Sequence, residues 1–286
     1  MRWQLGRRSQ NVEDRRGRSG RGTVAVGGGM GVLIMAVVAM LFGVDPRIVL
    51  EQTASIDNAP YSDTTATRRS PQEDQLVEFV SVVLADTEDT WNSLFRQMGK
   101  NYREPTLVLF SGAVQSACGY AQAAAGPFYC PADQKIYIDL SFYQDLKYRY
   151  NAPGDFAQAY VIAHEVGHHV QRLLGISQQV LSLKRQVSKT QANQLSVRQE
   201  LQADCFAGVW AHHAEDQRQI LEQGDIEEAL NAASSIGDDR LQQKAQGYVV
   251  PDSFTHGSSA QRVRWFGIGI QTGDVDQCNT FAVETL

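Results

Sequence analysis

The hydrophobic positions along this chain separate a short, wholly apolar stretch from a longer amphipathic part. Residues 24–44 run for 21 positions without a charged side chain, about the length that an α-helix needs to cross a hydrocarbon core of roughly 30 Å. A helix that is apolar all round and contains glycines is more typical of a membrane span than of a buried core helix. The pattern therefore predicts one transmembrane anchor over residues 24–44.

Residues 45–72 show no apolar period and are rich in Asp, Ser, Thr, Ala and Pro, so they are predicted to be a linker. Beyond the linker, apolar residues recur at three- and four-residue steps, and two β-branched and aromatic runs indicate strands. The strands are expected at 105–110 and 135–142. Helices are expected at 73–99, 155–174, 177–193, 196–216 and 225–245, with a last one from Ser258. This order predicts an α+β domain over residues 73–286, mainly helical with a small sheet.

Two of these helices carry a recognisable start signal. Ser196 and Gln199 have capping-box spacing at the start of the helix predicted over 196–216, and Ser258 and Gln261 have the same spacing at the start of the last helix. We therefore expect a helix boundary just before each serine.

Charge is spread unevenly. The formal net charge is -6, but residues 1–22 hold seven arginines against Glu13 and Asp14, a local sum of +5, so the remainder sums to -11. An acidic body without a basic stripe is a poor partner for a phosphate backbone, so no nucleic-acid partner is expected.

The arginines that precede the apolar run predict the orientation of the anchor. Under the positive-inside rule they hold a basic N-terminus over residues 1–23 in the cytoplasm. The chain is then a single-pass protein of the cell membrane, with its domain periplasmic or extracellular. A cleaved signal peptide is the alternative, although no small-x-small cleavage site follows the apolar run.

Four cysteines, all beyond the predicted anchor, are compatible with an exported, oxidised domain. Four cysteines allow three pairings, and the sequence alone does not fix one. Cys118 with Cys130 would close a short glycine-rich loop, and Cys205 with Cys278 would tie a helix to the C-terminal tail. These two disulfides are favoured, and four free buried thiols are the alternative.

An H-E-x-x-H motif in the helix predicted over 155–174 carries the chemistry. His164 and His168, at i and i+4 on one helical face, can bind a single zinc ion, and Glu165 can reach a metal-bound water. A catalytic zinc needs a third protein ligand and one open position. Glu200 is the best candidate, and Asp204, one turn further on, can accept the free ring N–H of a ligand histidine.

Simpler interpretations remain for each of these residues. The two histidines could lie on a surface face with no ligand, and Glu200 could be an exposed glutamate favoured by the helix dipole. His169, His212 and His213 could also compete for the third position, but we rank all three as structural or surface residues.

Four separated motifs occur in a fixed order: GPFYCPADQKIYIDLSF, HEVGHHVQ, ELQAD and SFTHGSSAQRVRWF. Together they resemble the bacterial neutral zinc metallopeptidase family, the YpfJ-like proteins, which are membrane-anchored gluzincins with a zincin-like domain. The resemblance runs from about residue 73 to the C-terminus. There is also a more distant similarity to the CAAX prenyl protease and the heat-shock membrane metalloproteases. It lies in the order of three features: a zinc motif, then a Glu with an Asp four positions on, then a T-H with an arginine six positions beyond the histidine.

The resemblance implies roles for two further motifs. His256 and Arg262 would stabilise the oxyanion that forms during hydrolysis. The alternative is that Thr255, His256 and Ser258 cap the last helix, with Arg262 in a structural salt bridge. KIYIDLSF would be the edge strand that pairs with an extended substrate, or, alternatively, an interior core strand.

These residues together predict a membrane-anchored, gluzincin-like zinc metallopeptidase. One Zn²⁺ per chain would be bound by His164, His168 and Glu200, and Glu165 would act as base and then acid in the attack of zinc-bound water on peptide bonds of exported polypeptides. The expected partners are a polypeptide substrate and the membrane. The sequence does not indicate an oligomeric state. The alternatives are a zinc-stabilised, non-catalytic peptide-binding module on the outer side of the membrane and, less favoured, a tethered scaffold without metal.

Overall fold

A computed structural model describes residues 1–17 and 70–286. The strands are β1 Val12–Asp14, β2 Thr106–Phe110, β3 Ala113–Ser116, β4 Gly119–Gln122, β5 Phe128–Cys130 and β6 Lys135–Asp139. The helices are α1 Pro71–Gln97, α2 Phe142–Tyr148, α3 Asp155–Leu173, α4 Ile176–Lys184, α5 Lys189–Arg218, α6 Asp225–Ser235, α7 Asp238–Gln246 and α8 Ser259–Thr272. The predicted class, mainly helical α+β with a small sheet, is confirmed.

The sheet corrects the prediction for KIYIDLSF. Its order in the described ranges is β1-β2-β6-β5, with β1, β2 and β6 parallel and β5 antiparallel to β6. β6 ends at Asp139 and lies between two partners, so the prediction that this segment is the edge strand was wrong. The preceding GPFYC segment folds back on β6 and forms the edge itself as β5. β3 and β4 form a separate antiparallel hairpin.

The helix boundary predicted just before Ser196 was also wrong. α4 and α5 are separated at residues 185–188, and the capping box forms between Ser188 and Gln191. Ser196 lies inside α5 and donates its hydroxyl to the carbonyl four residues earlier. Both serines have a glutamine three positions on, so the local signal is the same at the two places and tertiary packing decides between them.

The C-terminal helices show one difference and one agreement. The helix predicted over 225–245 is divided at residues 236–237 into α6 and α7. The start of α8 is as predicted: Ser258 is its N-cap and forms a capping box with Gln261.

Two glycines allow the central helices to approach closely. A Cβ added at Gly167 of α3 would lie 2.9 Å from the carbonyl oxygen of Ala203 in α5. A Cβ at Gly269 of α8 would lie 2.0 Å from the carbonyl oxygen of Cys205, also in α5. Since only glycine leaves this space free, α3, α5 and α8 pack as one cluster. The close approach of α3 to α5 brings their polar faces together.

Both favoured disulfides are present. Cys118 pairs with Cys130 at a Cα–Cα distance of 5.8 Å, and Cys205 pairs with Cys278 at 5.5 Å. The second bond joins α5 to the short 3₁₀ turn Val275–Cys278 near the C-terminus. The alternative of four free thiols was therefore wrong.

The N-terminal arm, defined as Met1–Arg16, belongs to the same compact unit as residues 69–286. β1 in the arm pairs with β2, and Trp3 packs edge to face against Phe79 of α1. The arm also covers Glu88 of α1, which is fully buried. The Glu88 carboxylate accepts hydrogen bonds from three arm residues, Arg7, Ser9 and Asn11. Since a buried charge without partners is costly, the arm is part of the domain and not a separate segment.

The predicted anchor at 24–44 and nearly all of the predicted linker at 45–72 lie outside the described residues. Within residues 1–17 and 70–286, no helix is long and apolar enough to span a membrane. A single crossing at 24–44 would place the N-terminal arm opposite the domain, whereas pairing of β1 with β2 requires both on one side. The cytoplasmic location of residues 1–23 stays a prediction, and the structure adds that the arm packs on the domain.

We expect an exposed residue of the N-terminal arm and one of the domain to be accessible from the same side of the membrane. Leu5→Cys and Tyr248→Cys suit the test, because these side chains are 100% and 60% exposed and the native cysteines are paired. A membrane-impermeant maleimide added to intact cells should label both variants or neither. Labelling of only one variant would contradict the joint packing and favour the single-pass arrangement.

Candidate metal centre

Two histidines of α3 and one glutamate of α5 converge on one point. His164 Nε2 lies 3.2 Å from one carboxylate oxygen of Glu200, and His168 Nε2 lies 3.4 Å from the other. One ligand atom from each residue falls within 4.8 Å of the others. Neighbouring ligands of a tetrahedral zinc ion with Zn–N distances of about 2.0–2.1 Å are about 3.4 Å apart. The donor types and their spacing therefore fit zinc.

The second ring nitrogen of each histidine is already in use. His164 Nδ1 donates to Asp204 Oδ1 at 2.8 Å, and His168 Nδ1 donates to Gln171 Oε1 at 3.0 Å. These bonds select the tautomers that carry the proton on Nδ1 and leave the Nε2 lone pairs directed at the metal position. Asp204 lies where the i+4 spacing from Glu200 suggested, whereas Gln171 was not predicted.

Asp204 is held by a cation and a hydroxyl deep in the protein. It is fully buried and accepts hydrogen bonds from Arg262 Nε at 2.8 Å, from Arg262 Nη2 at 2.9 Å and from the Tyr160 hydroxyl. Burial alone would raise the pKa of Asp204, but the charge of Arg262 and the hydrogen bonds from His164 and Arg262 outweigh it and hold this pKa at about 2. Asp204 is therefore ionised and can orient His164.

Arg262 borders the cleft in which the candidate metal ligands lie, but its polar atoms are bound to other protein groups. Its side chain is 3% exposed, and its guanidinium is committed to Asp204, to the Tyr160 hydroxyl and to the carbonyl of Ile236. Arg262 thus lies behind His164, where it neutralises the carboxylate that orients the ring. This geometry favours a positioning role over contact with an oxyanion.

A chain of amides supports His168 in the same way. Gln171 Nε2 donates to the carbonyl of Gln199 at 2.6 Å and to Gln202 Oε1 at 3.1 Å. Gln202 in turn donates to the carbonyl of Cys278 at 3.0 Å. The orientation of His168 is therefore linked to the C-terminal turn that a disulfide fixes to α5.

Glu165 lies beside the three candidate metal ligands. It lines a cleft of about 360 Å³ together with them and His256. Its side chain is buried, and in the described parts of the chain its carboxylate has no hydrogen-bond partner. Burial raises the pKa of Glu165. An unpartnered carboxylate in this position can accept a proton from water.

His256 lies on the wall of the same cleft and is held there by Asp238 at the start of α7. Asp238 Oδ2 accepts hydrogen bonds from three consecutive backbone N–H groups, those of Thr255, His256 and Gly257, at 2.7, 2.6 and 3.0 Å. Asp238 Oδ1 lies 3.2 Å from His256 Nδ1. This hydrogen bond raises the pKa of His256, and 52% of its side chain stays exposed to the cleft and solvent.

Asp238 was not found from the sequence. The only local signal was Gly237, a helix breaker inside the helix predicted over 225–245. A break there would have made Asp238 a first-turn residue, free to bind a neighbouring loop.

The three remaining histidines form hydrogen bonds with other protein groups. His169 is fully buried and lies between the Tyr129 hydroxyl, at 3.0 Å, and the carbonyl of Arg103. Burial lowers the pKa of His169 to about 4, so its ring is neutral. His212 and His213 donate to the carbonyls of Ile270 and Gly273. These contacts agree with the structural roles expected for all three.

Comparisons with known proteins agree with this geometry. A family model described as "Putative neutral zinc metallopeptidase" matches residues 1–281. YpfJ of Escherichia coli (strain K12) is 54% identical over 290 residues, which cover 98% of this chain and 99% of the relative. Mb2605 of Mycobacterium bovis is 42% identical over 262 residues, 87% of this chain and 86% of the relative. No solved structure matches. The family predicted from the four motifs is confirmed, and the match begins at residue 1 instead of near residue 73.

Proposed function

Because the chain belongs to the neutral zinc metallopeptidase family, we propose that it is a zinc-dependent endopeptidase that hydrolyses peptide bonds of exported polypeptides. One zinc ion per chain would be held by His164, His168 and Glu200. The proposal extends the family assignment to a ligand set, a general base and a substrate class.

The observation that carries the proposal is the spacing of the three donors. The two distances from Glu200 to the imidazole nitrogens, 3.2 and 3.4 Å, are those between neighbouring ligands of a tetrahedral zinc ion. Each imidazole also has its other nitrogen fixed by a buried partner. Three protein donors leave a fourth position open, which is the pattern of catalytic rather than structural zinc sites.

A zinc ion bound at this point would act as a Lewis acid and lower the pKa of a coordinated water toward about 7. Glu165 would accept the proton that this water loses and deliver it to the leaving amine. Its burial and its lack of a partner in the described residues support this role, since nothing in the resting site competes for the carboxylate. A proton can therefore move through Glu165 in both steps.

His256 is the better placed of the two candidates for stabilising negative charge on the substrate carbonyl. It lines the cleft with Glu165, and its hydrogen bond to Asp238 favours the protonated, donating ring. Arg262, bound to Asp204, would act through His164 by fixing the orientation of that ring. We therefore assign the direct contact to His256 and a positioning role to Arg262.

A polypeptide substrate fits the edge strand next to the site. β5 has a partner on one side only among the described strands, and residues 126–129 line the cleft. An extended peptide can pair with such an edge through backbone hydrogen bonds. The substrate backbone would then pass the metal position with Glu165 on one side.

Export of the domain and attachment to the membrane through residues 24–44 are further parts of the proposal. Two disulfides support an oxidising compartment, and the uncharged apolar run supports the attachment. The packing of the N-terminal arm on the domain requires both to lie on the same side.

We expect the full chain, purified in detergent, to hold one zinc ion per chain and to cleave members of a broad library of internally quenched peptides. Chelation should abolish cleavage, and added zinc should restore it. The readouts are elemental analysis and fluorescence. Cleavage that persists after complete removal of zinc would refute the proposal.

The same measurement distinguishes a peptidase from the non-catalytic peptide-binding module. A protein that binds zinc and library peptides but leaves every peptide intact would support that alternative. The presence of Glu165 beside the donors favours the peptidase, because a non-catalytic zinc site has no need of a general base.

A further inference from the structure

A second cavity, of about 550 Å³, adjoins the metal-binding residues on the side of α4. It shares Tyr129, His168 and Glu200 with the cleft described above. Two of the three donors, His168 and Glu200, therefore lie where the two cavities meet. A polypeptide whose scissile bond is at the metal position would place a neighbouring side chain in this second cavity.

The wall of this cavity is mainly apolar, but two cations line it. Arg172 comes from the last turn of α3 and Lys184 from the end of α4. Both side chains are half-buried. In the described residues neither has a side-chain hydrogen bond or an ion pair. Burial lowers the pKa of Lys184, while the charge of Glu200 opposes that effect.

No carboxylate of the described residues forms an ion pair with either cation. Glu200 is the carboxylate that lines the same cavity, and both of its oxygens face the histidines. Asp133, close in sequence to the cavity wall, accepts hydrogen bonds from backbone N–H groups and from the Tyr137 hydroxyl. These two cations beside an apolar wall can therefore bind an anion from outside.

We propose that this second cavity is a specificity site for an acidic side chain, Asp or Glu, of the polypeptide substrate, bound by Arg172 and Lys184. The inference rests on the proposed peptidase function and narrows its substrate class. Arg172 supplies the planar fork that suits a carboxylate, and Lys184 supplies a point charge. Tyr129 and Leu181 would pack against the aliphatic part of the side chain.

Paired peptides that differ only by Glu or Gln at positions near the scissile bond test the proposal. All carry amidated C-termini, so the side chain is their one variable carboxylate. Hydrogen bonds between charged groups predict a preference of about tenfold to hundredfold in kcat/KM for Glu at one position. The effect should lie mainly in KM, because the cations bind the substrate before and during the reaction alike.

Variants assign the preference to the two cations. Lys184→Gln and Arg172→Gln should each bring the Glu-to-Gln ratio toward one, and Lys184→Glu should shift the preference toward Lys or Arg. Lys189→Gln, an exposed lysine outside the cavity, is the matched control and should keep the full ratio. Thermal unfolding should be unchanged in all four variants.

The outcomes separate this inference from the proposed function. Equal cleavage of Glu and Gln peptides by the wild type, or an equal loss in Lys189→Gln, overturns the specificity site and leaves the peptidase standing. The same peptides are also tested with free C-terminal carboxylates, and a preference seen only in that second set overturns the assignment to a side chain. Fluorescence anisotropy with Glu165→Gln measures binding without cleavage. A Glu preference there, with no cleavage by wild type, supports the carboxylate site and overturns the peptidase.

Discussion

Replacing Glu165 with glutamine should leave the zinc content unchanged and lower kcat/KM by about 100- to 10,000-fold, the usual contribution of a general base. The two side chains have nearly the same shape, and Glu165 makes no hydrogen bond in the described residues that the change would break. The amide cannot accept a proton from water. The loss should therefore appear in turnover and not in the stability of the fold, as measured by peptide cleavage, elemental analysis and thermal unfolding.

A second glutamate provides the control. Glu227 is exposed on α6, and Glu227→Gln makes the same chemical change away from the cleft, so its kcat/KM should equal that of the wild type. Undiminished cleavage by Glu165→Gln, with contaminating proteases excluded, would remove Glu165 from the mechanism. Loss of zinc in that variant would mean that Glu165 supports the metal site instead of the proton transfer.

The donors of the candidate site were predictable because helical spacing alone places them. His164 and His168 are one turn apart, and Glu200 and Asp204 are one turn apart, so each pair shares a helical face whatever the rest of the fold does. What the spacing did not give was the approach of the two helices. That depends on Gly167, where α3 comes within contact of the α5 backbone.

The residues that the sequence analysis missed all act across tertiary contacts. Gln171 fixes His168 only because α5 and the C-terminal turn accept its amide, and Asp238 holds His256 only because a helix break brings α7 to that loop. Arg262 was recognised, but its buried partner Asp204 was not foreseen as the group that engages it. Spacing along the chain contains no information about such partners.

In the fold, too, features with a clear local sequence pattern were predicted and features that depend on tertiary contacts were not. Helices were predicted to within a few residues at α3, from its periodicity, and at the start of α8, from its capping box. β5 was missed because a three-residue strand carries too little pattern. The packing of the N-terminal arm on the domain was missed because its arginines were considered only under the charge rule for membranes. In the structure one of those arginines, Arg7, binds the buried Glu88.

Replacing His168 with alanine should remove zinc from the protein, whereas replacing the adjacent His169 should not. His168 supplies one of three donors, and its loss should weaken zinc binding by at least about 100-fold, more than the loss of an outer hydrogen-bond partner of a ligand usually does. Cleavage should be lost with the metal. Elemental analysis after dialysis and competition with a zinc indicator measure the change.

His169→Ala should instead lower the free energy of unfolding by about 2–4 kcal/mol, because it leaves a cavity and unpairs the Tyr129 hydroxyl and the Arg103 carbonyl. Zinc content should stay at the wild-type level below the unfolding transition.

His213 provides the control, because its ring binds the Gly273 carbonyl on another part of the surface. His213→Ala should leave the zinc content unchanged. Wild-type zinc in His168→Ala, or zinc loss in His213→Ala, would require a different ligand set. Two neighbouring histidines on one helix thus divide into a metal ligand and a core residue, because 100° of helical rotation turns one ring toward Glu200 and the other toward β5.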